Sequence, residues 1–138
     1  MTGTIRDTGA MLAGMTPTLE AGEYVFCTLA EDAADSVRTL AALAMFHETE
    51  GLSLILERAA AARAGFDTAL PMRQIILQVH SSLEGVGLTA AVASALATAG
   101  IPCNMVATYH HDHVFVPVSQ AEAALAVLQA VQEKARQK

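Results

Sequence analysis

Tryptophan is absent from the 138 residues, and two Tyr and four Phe hold the aromatic share to 4%. A core must therefore be assembled from Ala, Leu, Val and Ile packed in numbers. Cysteine is confined to Cys27 and Cys103, too few for a disulfide framework. Each is flanked by apolar residues, with no Lys or Arg adjacent to lower the thiol pKa, so both are expected to act as small hydrophobes. Cations are scarce: 8 Lys plus Arg stand against 14 Asp plus Glu, a formal net charge of −6. That balance disfavours a nucleic-acid partner, because phosphate binding needs a cationic face. Long apolar runs are lacking too. Hydrophobic residues make up 53% of the chain and the mean hydropathy is +0.39, yet Gly, Pro or a charge interrupts every run. No stretch reaches the roughly 18 apolar residues of a membrane span. The start, MTGTIRDTGAMLAG, lacks an apolar segment behind a basic head, so no signal peptide is expected and the reading is cytoplasmic. GxSxG, P-loop, Rossmann-glycine and HExxH patterns are all missing. This removes the usual reasons to propose an enzyme or a cofactor, and neither is expected.

What is present is a succession of short elements. Asp7–Ala13 has the pattern of a short helix stopped by Pro17, and Glu20-Ala21-Gly22 that of a turn. Glu23–Leu29 is rich in aromatic and β-branched residues and predicts a strand. An acidic stretch, Glu31, Asp32 and Asp35, leads to a short helix at Val37–Ala42. Leu43–Glu48 and Leu52–Leu56 flank the Gly-containing turn Thr49-Glu50-Gly51, as in a hairpin. The alanine-rich stretch Glu57–Ala64 predicts a helix capped by Gly65. Pro71 lies in the best internal boundary, 66–72.

The second half is clearer. Gln74–His80 predicts a buried strand and Ser81–Gly87 a glycine loop. Leu88, Val92 and Leu96 form one face of a helix ended by Gly100. Ile101–Thr108 and Val114–Val118 predict strands joined by a polar turn. Ser119-Gln120-Ala121-Glu122 has the form of a capping box before a helix whose face carries Ala121, Leu125, Leu128 and Val131.

Strand–helix–strand–strand–helix thus describes both halves, the first with a reduced first helix. The fold expected is α+β, ferredoxin-like, with helices on one face of antiparallel sheets. The boundary falls between an N-terminal degenerate half, 1–70, and a C-terminal unit, 71–138.

Leu83–Thr89, Ala99–Asn104 and Ala107–Pro117 resemble ACT domains, which place a glycine loop before the first helix, a Gly-Ile step into the second strand, and an apolar Val-Pro before the last helix. Thr108, Tyr109, Asp112, Phe115, Val116 and Pro117 are similar to the hairpin of the aspartokinase and arginine-sensor subgroup. Tyr24–Cys27, Phe46–Glu48 with Glu50-Gly51, and His111–His113 look like small bacterial tandem-ACT proteins of unknown function. The resemblance implies a tandem ACT arrangement, a regulatory role without catalysis, and a small-molecule ligand, an amino acid in the first instance, held at an interface between ACT units. One departure stands out: the loop Glu84-Gly85-Val86-Gly87 has no Pro-Gly step, so ligand specificity does not carry over.

The expected ligand-binding residues are Glu84, Gly85, Val86, Gly87, Leu88, Cys103, Asn104 and Thr108. Loop amides at the positive end of a helix can seat a carboxylate, and Glu84 can pair with an ammonium group. The same glycines serve equally in an ordinary βα turn. His110, His111, Asp112 and His113 supply ligand types suited to a transition metal, the basis of an alternative metal-binding or enzymatic reading. Strand alternation, however, leaves two on each face, so His47 or His80 would have to complete a site. A polar turn with Asp112 capping backbone groups is the simpler use. The Phe46–Gly51 segment, with a His and two carboxylates, reads as a solvated hairpin tip. A third possibility is a ligand-free scaffold for another protein. Open strand edges and alanine-rich helix faces point to a homodimer.

Overall fold

The computed structural model describes residues 7–33, 40–79 and 87–137. The elements are α1 (Thr8–Gly14), β1 (Pro17–Leu19), β2 (Tyr24–Leu29), β3 (Ala44–Glu48), β4 (Gly51–Glu57), α2 (Arg58–Arg63), β5 (Met72–Leu77), α3 (Leu88–Thr98), β6 (Asn104–Ala107), β7 (Asp112–Pro117) and α4 (Ala121–Arg136). The chain forms two compact units, one from residues 22–72 and one from residues 1–21 together with 73–138.

In the 22–72 unit, β4 lies between β2 and β3. Both pairings are antiparallel, with Cys27 opposite Leu54 and Phe46 opposite Ser53. Alternation sends Val25, Leu52, Leu54 and Leu56 to one face, where Ala61 of α2 completes a core. The tight turn into β4 needs glycine. Gly51 has φ +141°, and a β-carbon there would lie 2.6 Å from the carbonyl oxygen of Leu29. Arg58 Nη1 reaches the Glu23 carboxylate at 2.7 Å, bracing the start of α2 against the start of β2. The helix expected at 37–42 falls largely outside the described residues; Leu40 and Ala41 are in a turn.

In the other unit the strand order is β1-β5-β7-β6. β1 runs antiparallel to β5, with Thr18 opposite Ile76, and supplies a strand that the sequence pattern did not reveal. Arg73 holds this end of the sheet by donating from Nε (3.1 Å) and Nη2 (2.8 Å) to the Glu20 carbonyl. Ile75, Leu77, Val114 and Val116 project to one face and meet Met11, Met15, Leu88, Val92, Leu96, Ala121, Ala124 and Leu128 from the three helices. The predicted stripe of α3 is the buried one.

Two buried amides organise this unit. Gln132, 7% exposed, donates from Nε2 to the Ala13 carbonyl (2.9 Å) and to Thr16 Oγ1 (3.0 Å). Arg136 Nε reaches the same carbonyl at 3.0 Å. A carbonyl left over at the end of α1 is thus satisfied from α4. At the other end, Asp7 caps α1 by accepting from the Ala10 amide at 2.8 Å.

Several local expectations change. The capping box does not form: Val118–Gln120 make a 3-10 turn, and Gln120, not Ser119, is the N-cap of α4. Gln120 makes no cap bond and donates instead to the Gly100 carbonyl at 3.2 Å. The buried face of α4 is Ala121, Ala124, Leu128 and Gln132, turned slightly from the predicted face. β6 begins at Asn104, after Pro102, whose nitrogen cannot donate to a ladder. No helix among the described residues is long and apolar enough to cross a membrane.

Candidate ligand-binding site

The β6–β7 hairpin is closed twice over by one residue. The Thr108 amide and the Thr108 hydroxyl both donate to the His111 carbonyl, at 3.0 and 2.7 Å. Tyr109 is left 81% exposed at the tip. Two residues on, alternation turns His113 to the sheet face opposite Val114 and Val116, where it meets Gln74 of β5. Gln74 is 4% exposed, and its Nε2 lies 2.9 Å from His113 Nδ1. The other ring nitrogen, Nε2, is 3.2 Å from Thr108 Oγ1.

These contacts fix a direction of hydrogen bonding. With its NH2 assigned toward the ring, Gln74 donates, so Nδ1 accepts and Nε2 carries the proton. That proton points to Thr108 Oγ1, whose own hydrogen is committed to the His111 carbonyl. In that orientation the chain Gln74→His113→Thr108→His111 runs through a neutral imidazole. Burial holds the His113 pKa below the ordinary histidine value and His111 lowers it further, against an opposing pull from Asp112.

The expected ligand residues are dispersed. Glu84, Gly85 and Val86 lie outside the described residues. Gly87 is the N-cap of α3 with φ +105°, and a β-carbon there would fall 2.5 Å from Thr8 Oγ1. The close approach that this glycine permits is taken by α1. Leu88 is a core side chain and has only its backbone to offer. Cys103 packs half-buried against the same core, with its thiol pKa pushed up by burial. Asn104 is exposed at the start of β6, opposite Phe115. Thr108 lies four residues further along, about 13 Å away at strand spacing. Asn104 and Thr108 therefore do not converge on one small group.

The His cluster separates in the same way. Asp112 is buried and alternates to the face opposite His113; His110 is exposed and His111 half-buried. Among the described residues no three His, Cys, Asp or Glu side chains are grouped to hold a metal ion. His80 lies outside the described residues. His47 sits 3.7 Å from the exposed Glu31 carboxylate, and Ser53 donates to Glu48 at the same hairpin. The Cys27 thiol is raised by burial and, secondarily, by the Asp67 carboxylate, which does not favour a thiolate.

Gln74 was missed by the sequence reading, although a signal existed: an amide directly before the apolar run Ile75-Ile76-Leu77 of β5. Among the described residues, surface clefts run beside α4. One, of about 560 Å³, lies between α1 and α4 over Ala10, Leu12, Ala13 and Val131. The other, of about 580 Å³, runs between α3 and α4 over Ala95, Ala99, Val127 and Ala130.

Comparison with known proteins adds to this geometry. Sequence profiles of the ACT domain match residues 4–73 and 70–130. A crystal structure of a Vibrio cholerae protein of unknown function, described as a possible transport protein, is 44% identical. It superposes with a TM-score of 0.81 over 90% of this chain and 94% of that one. A protein from Agrobacterium tumefaciens is 19% identical with a TM-score of 0.69, over 86% of this chain and 89% of that one. The regulatory subunit of aspartate kinase from Thermus flavus shares the fold at 14% identity and a TM-score of 0.55, over 84% and 96% of the two chains. Curated proteins give no match. With both halves matched in succession, the chain belongs to the ACT-domain family, as two ACT domains in tandem.

Proposed function

We propose that this protein is a regulatory binding module that senses a small metabolite, an amino acid in the first instance, at an interface between ACT units, and that it is not itself a catalyst. The observation that carries this reading is the pair of ACT-domain matches in tandem, supported by the structural likeness to an aspartate kinase regulatory subunit. The ligand-contacting set is proposed to be Glu84, Gly85, Val86, Gly87, Cys103 and Asn104, with backbone contact at Leu88, while Thr108, too far from Asn104 to share one group with it, closes the hairpin beside the site. The neutral imidazole of His113 holds Thr108 in place. A carboxylate seated on loop amides needs no metal or prosthetic group.

A thermal-shift panel of the twenty amino acids, common nucleotides and cofactors tests the reading. A ligand at a hundredfold excess over its Kd stabilises the folded state by about 2.7 kcal/mol, a shift on the order of 10 °C for a domain of this size. One or a few amino acids are expected to give it, and the Asn104→Ala variant is expected to lose it. No shift across the panel would overturn the reading.

A further inference from the structure

The 22–72 unit carries most of the charge of the chain. It holds eight Asp and Glu against three Arg, a net of −5 out of −6 for all 138 residues. Two of those Arg, Arg58 and Arg63, lie on α2, and Arg58 is held by the Glu23 carboxylate at 2.7 Å. The strands β2, β3 and β4 contain no Lys or Arg. The same unit holds four of the six Phe and Tyr of the chain, and three of these fall on one side of its sheet. Register defines that side. Phe26 stands opposite Ile55, Phe46 opposite Ser53, and Tyr24 opposite Glu57. Alternation therefore sends all three rings away from Leu52, Leu54, Leu56 and α2. Phe26 is 45% and Phe46 51% exposed, on strands to either side of Ile55, which is 3% exposed.

The ends of this aromatic patch are acidic. Glu48 pairs with Gly51 at one end of β4, and Glu57 closes the other end, about 20 Å further along the strand. Both side chains are exposed, and among the described residues neither has a cationic partner. An apolar, aromatic centre within a polar rim is the anatomy of a protein-binding surface.

We propose that this face docks a basic amphipathic helix of another protein, with apolar side chains against Phe26 and Phe46 and with Lys or Arg reaching Glu48 and Glu57. Charge selects the occupant. A second copy would bring two units of net −5 face to face, and nucleic acid or an anionic membrane would be repelled. A helix is the element that ordinarily covers a sheet face, and one laid along β4 spans the two carboxylates in about 13 residues at its usual rise. Guanidinium groups can also stack on the exposed Phe rings. Partner docking at this face goes beyond the metabolite-binding reading and does not need the metabolite.

Fluorescence anisotropy with the full chain and a dye-labelled designed helix tests it. The probe is a peptide of about 18 residues with a Leu stripe on one face and Arg beside both ends of the stripe; its twin has Glu in place of every Arg. The Arg peptide is expected to bind saturably and the Glu twin not to bind. Phe26→Thr with Phe46→Thr is expected to weaken binding about tenfold or more, as loss of central interface residues does. Glu48→Lys with Glu57→Lys is expected to exchange the preference, losing the Arg peptide and gaining the Glu twin. That pair raises the net charge of the chain only from −6 to −2, so a gain of the Glu twin reports the local surface and not the overall charge. Reversing Glu122 and Glu133, exposed on α4, alters the total charge equally and is expected to leave both peptides unaffected. The Phe pair and the Glu pair are independent, so a variant that fails to fold leaves the other to decide. No binding of the Arg peptide, equal loss on reversing Glu122 and Glu133, or unchanged affinity in folded Phe26→Thr, Phe46→Thr protein would each overturn the proposal. Ligand-induced melting shifts report on the metabolite reading separately, so the failure of one is distinguishable from the failure of the other.

Discussion

The side-chain amide of Gln74 meets the imidazole of His113 at 2.9 Å, so a nearly inaccessible residue of β5 dictates which nitrogen of a hairpin histidine carries the proton. Thr108, on the far side of the ring, inherits its orientation from that choice. Disturbing the amide should therefore be felt at the hairpin tip.

Protonation is one such disturbance. The His113 pKa is lowered in the folded protein, so between that value and the ordinary histidine value near 6.5 the unfolded chain binds more protons than the folded one. The stability owed to the neutral ring is present above about pH 6.5 and is lost as pH falls through the folded pKa. Urea denaturation at a series of pH values is expected to reveal a decline over this window. His113→Asn, which cannot titrate, should flatten it. An NMR titration should find His113 protonating at lower pH than a free histidine.

Gln132→Leu removes both donors offered to Ala13 and Thr16 and leaves Arg136 alone on the carbonyl. The expected loss is about 1–3 kcal/mol, typical of a buried group stripped of its partner. It should appear as a lower denaturation midpoint with an unchanged slope. Hydrogen exchange should quicken first in α1.

Two glycine substitutions separate backbone from side-chain obstruction. Both Gly51→Ala and Gly87→Ala force a residue into positive φ, at a cost of about 1–2 kcal/mol. At Gly87 the added carbon meets a threonine side chain, so pairing it with Thr8→Ala should return part of the lost stability. At Gly51 it meets the carbonyl of Leu29. No side-chain change can clear that, and Gly51→Ala is expected to be the more damaging. Melting temperatures of the two single variants and of the Gly87→Ala, Thr8→Ala pair provide the comparison.

Leu96→Ala, in the middle of α3 and fully buried, leaves a cavity in the core shared by α3, α4, β5 and β7. A loss of about 2–5 kcal/mol is expected, read by chemical denaturation. The exposed neighbour Ala97→Ser should stay within about 0.5 kcal/mol.

Periodicity carried most of the fold. Leu88, Val92 and Leu96 recur at helical spacing, and Leu52–Leu56 and Tyr24–Leu29 are continuous enough in β-forming residues to be legible as strands. What escaped was set by distant partners. β1 is three residues long and opens on Pro17; nothing local marks it as a strand until β5 lies beside it. Ser119–Glu122 has the composition of a capping box, yet Gln120 is drawn to the Gly100 carbonyl and the helix starts one residue later than that motif requires. Gln74 and Gln132 interrupt apolar patterns in a way that sequence alone reads as noise, because their partners lie 39 and 116 to 119 residues away. The site was less legible than the fold for the same reason. The division of the His110–His113 run by strand alternation was legible in advance, whereas the pairing of His113 with Gln74, 39 residues away, was not.

The association of residues 1–21 with 73–138 means that one compact unit is interrupted in sequence by the whole of the other. Synthesis proceeds from the N-terminus, and domains tend to close as their residues emerge. The inner unit has all its strands and α2 once residue 72 has been made. Residues 7–19 must meanwhile wait for β5 to pair with β1 and for Gln132 to reach the end of α1. Order of assembly is thus written into the path of the chain: the 22–72 unit can close early, and the unit built from both sides of it closes afterwards.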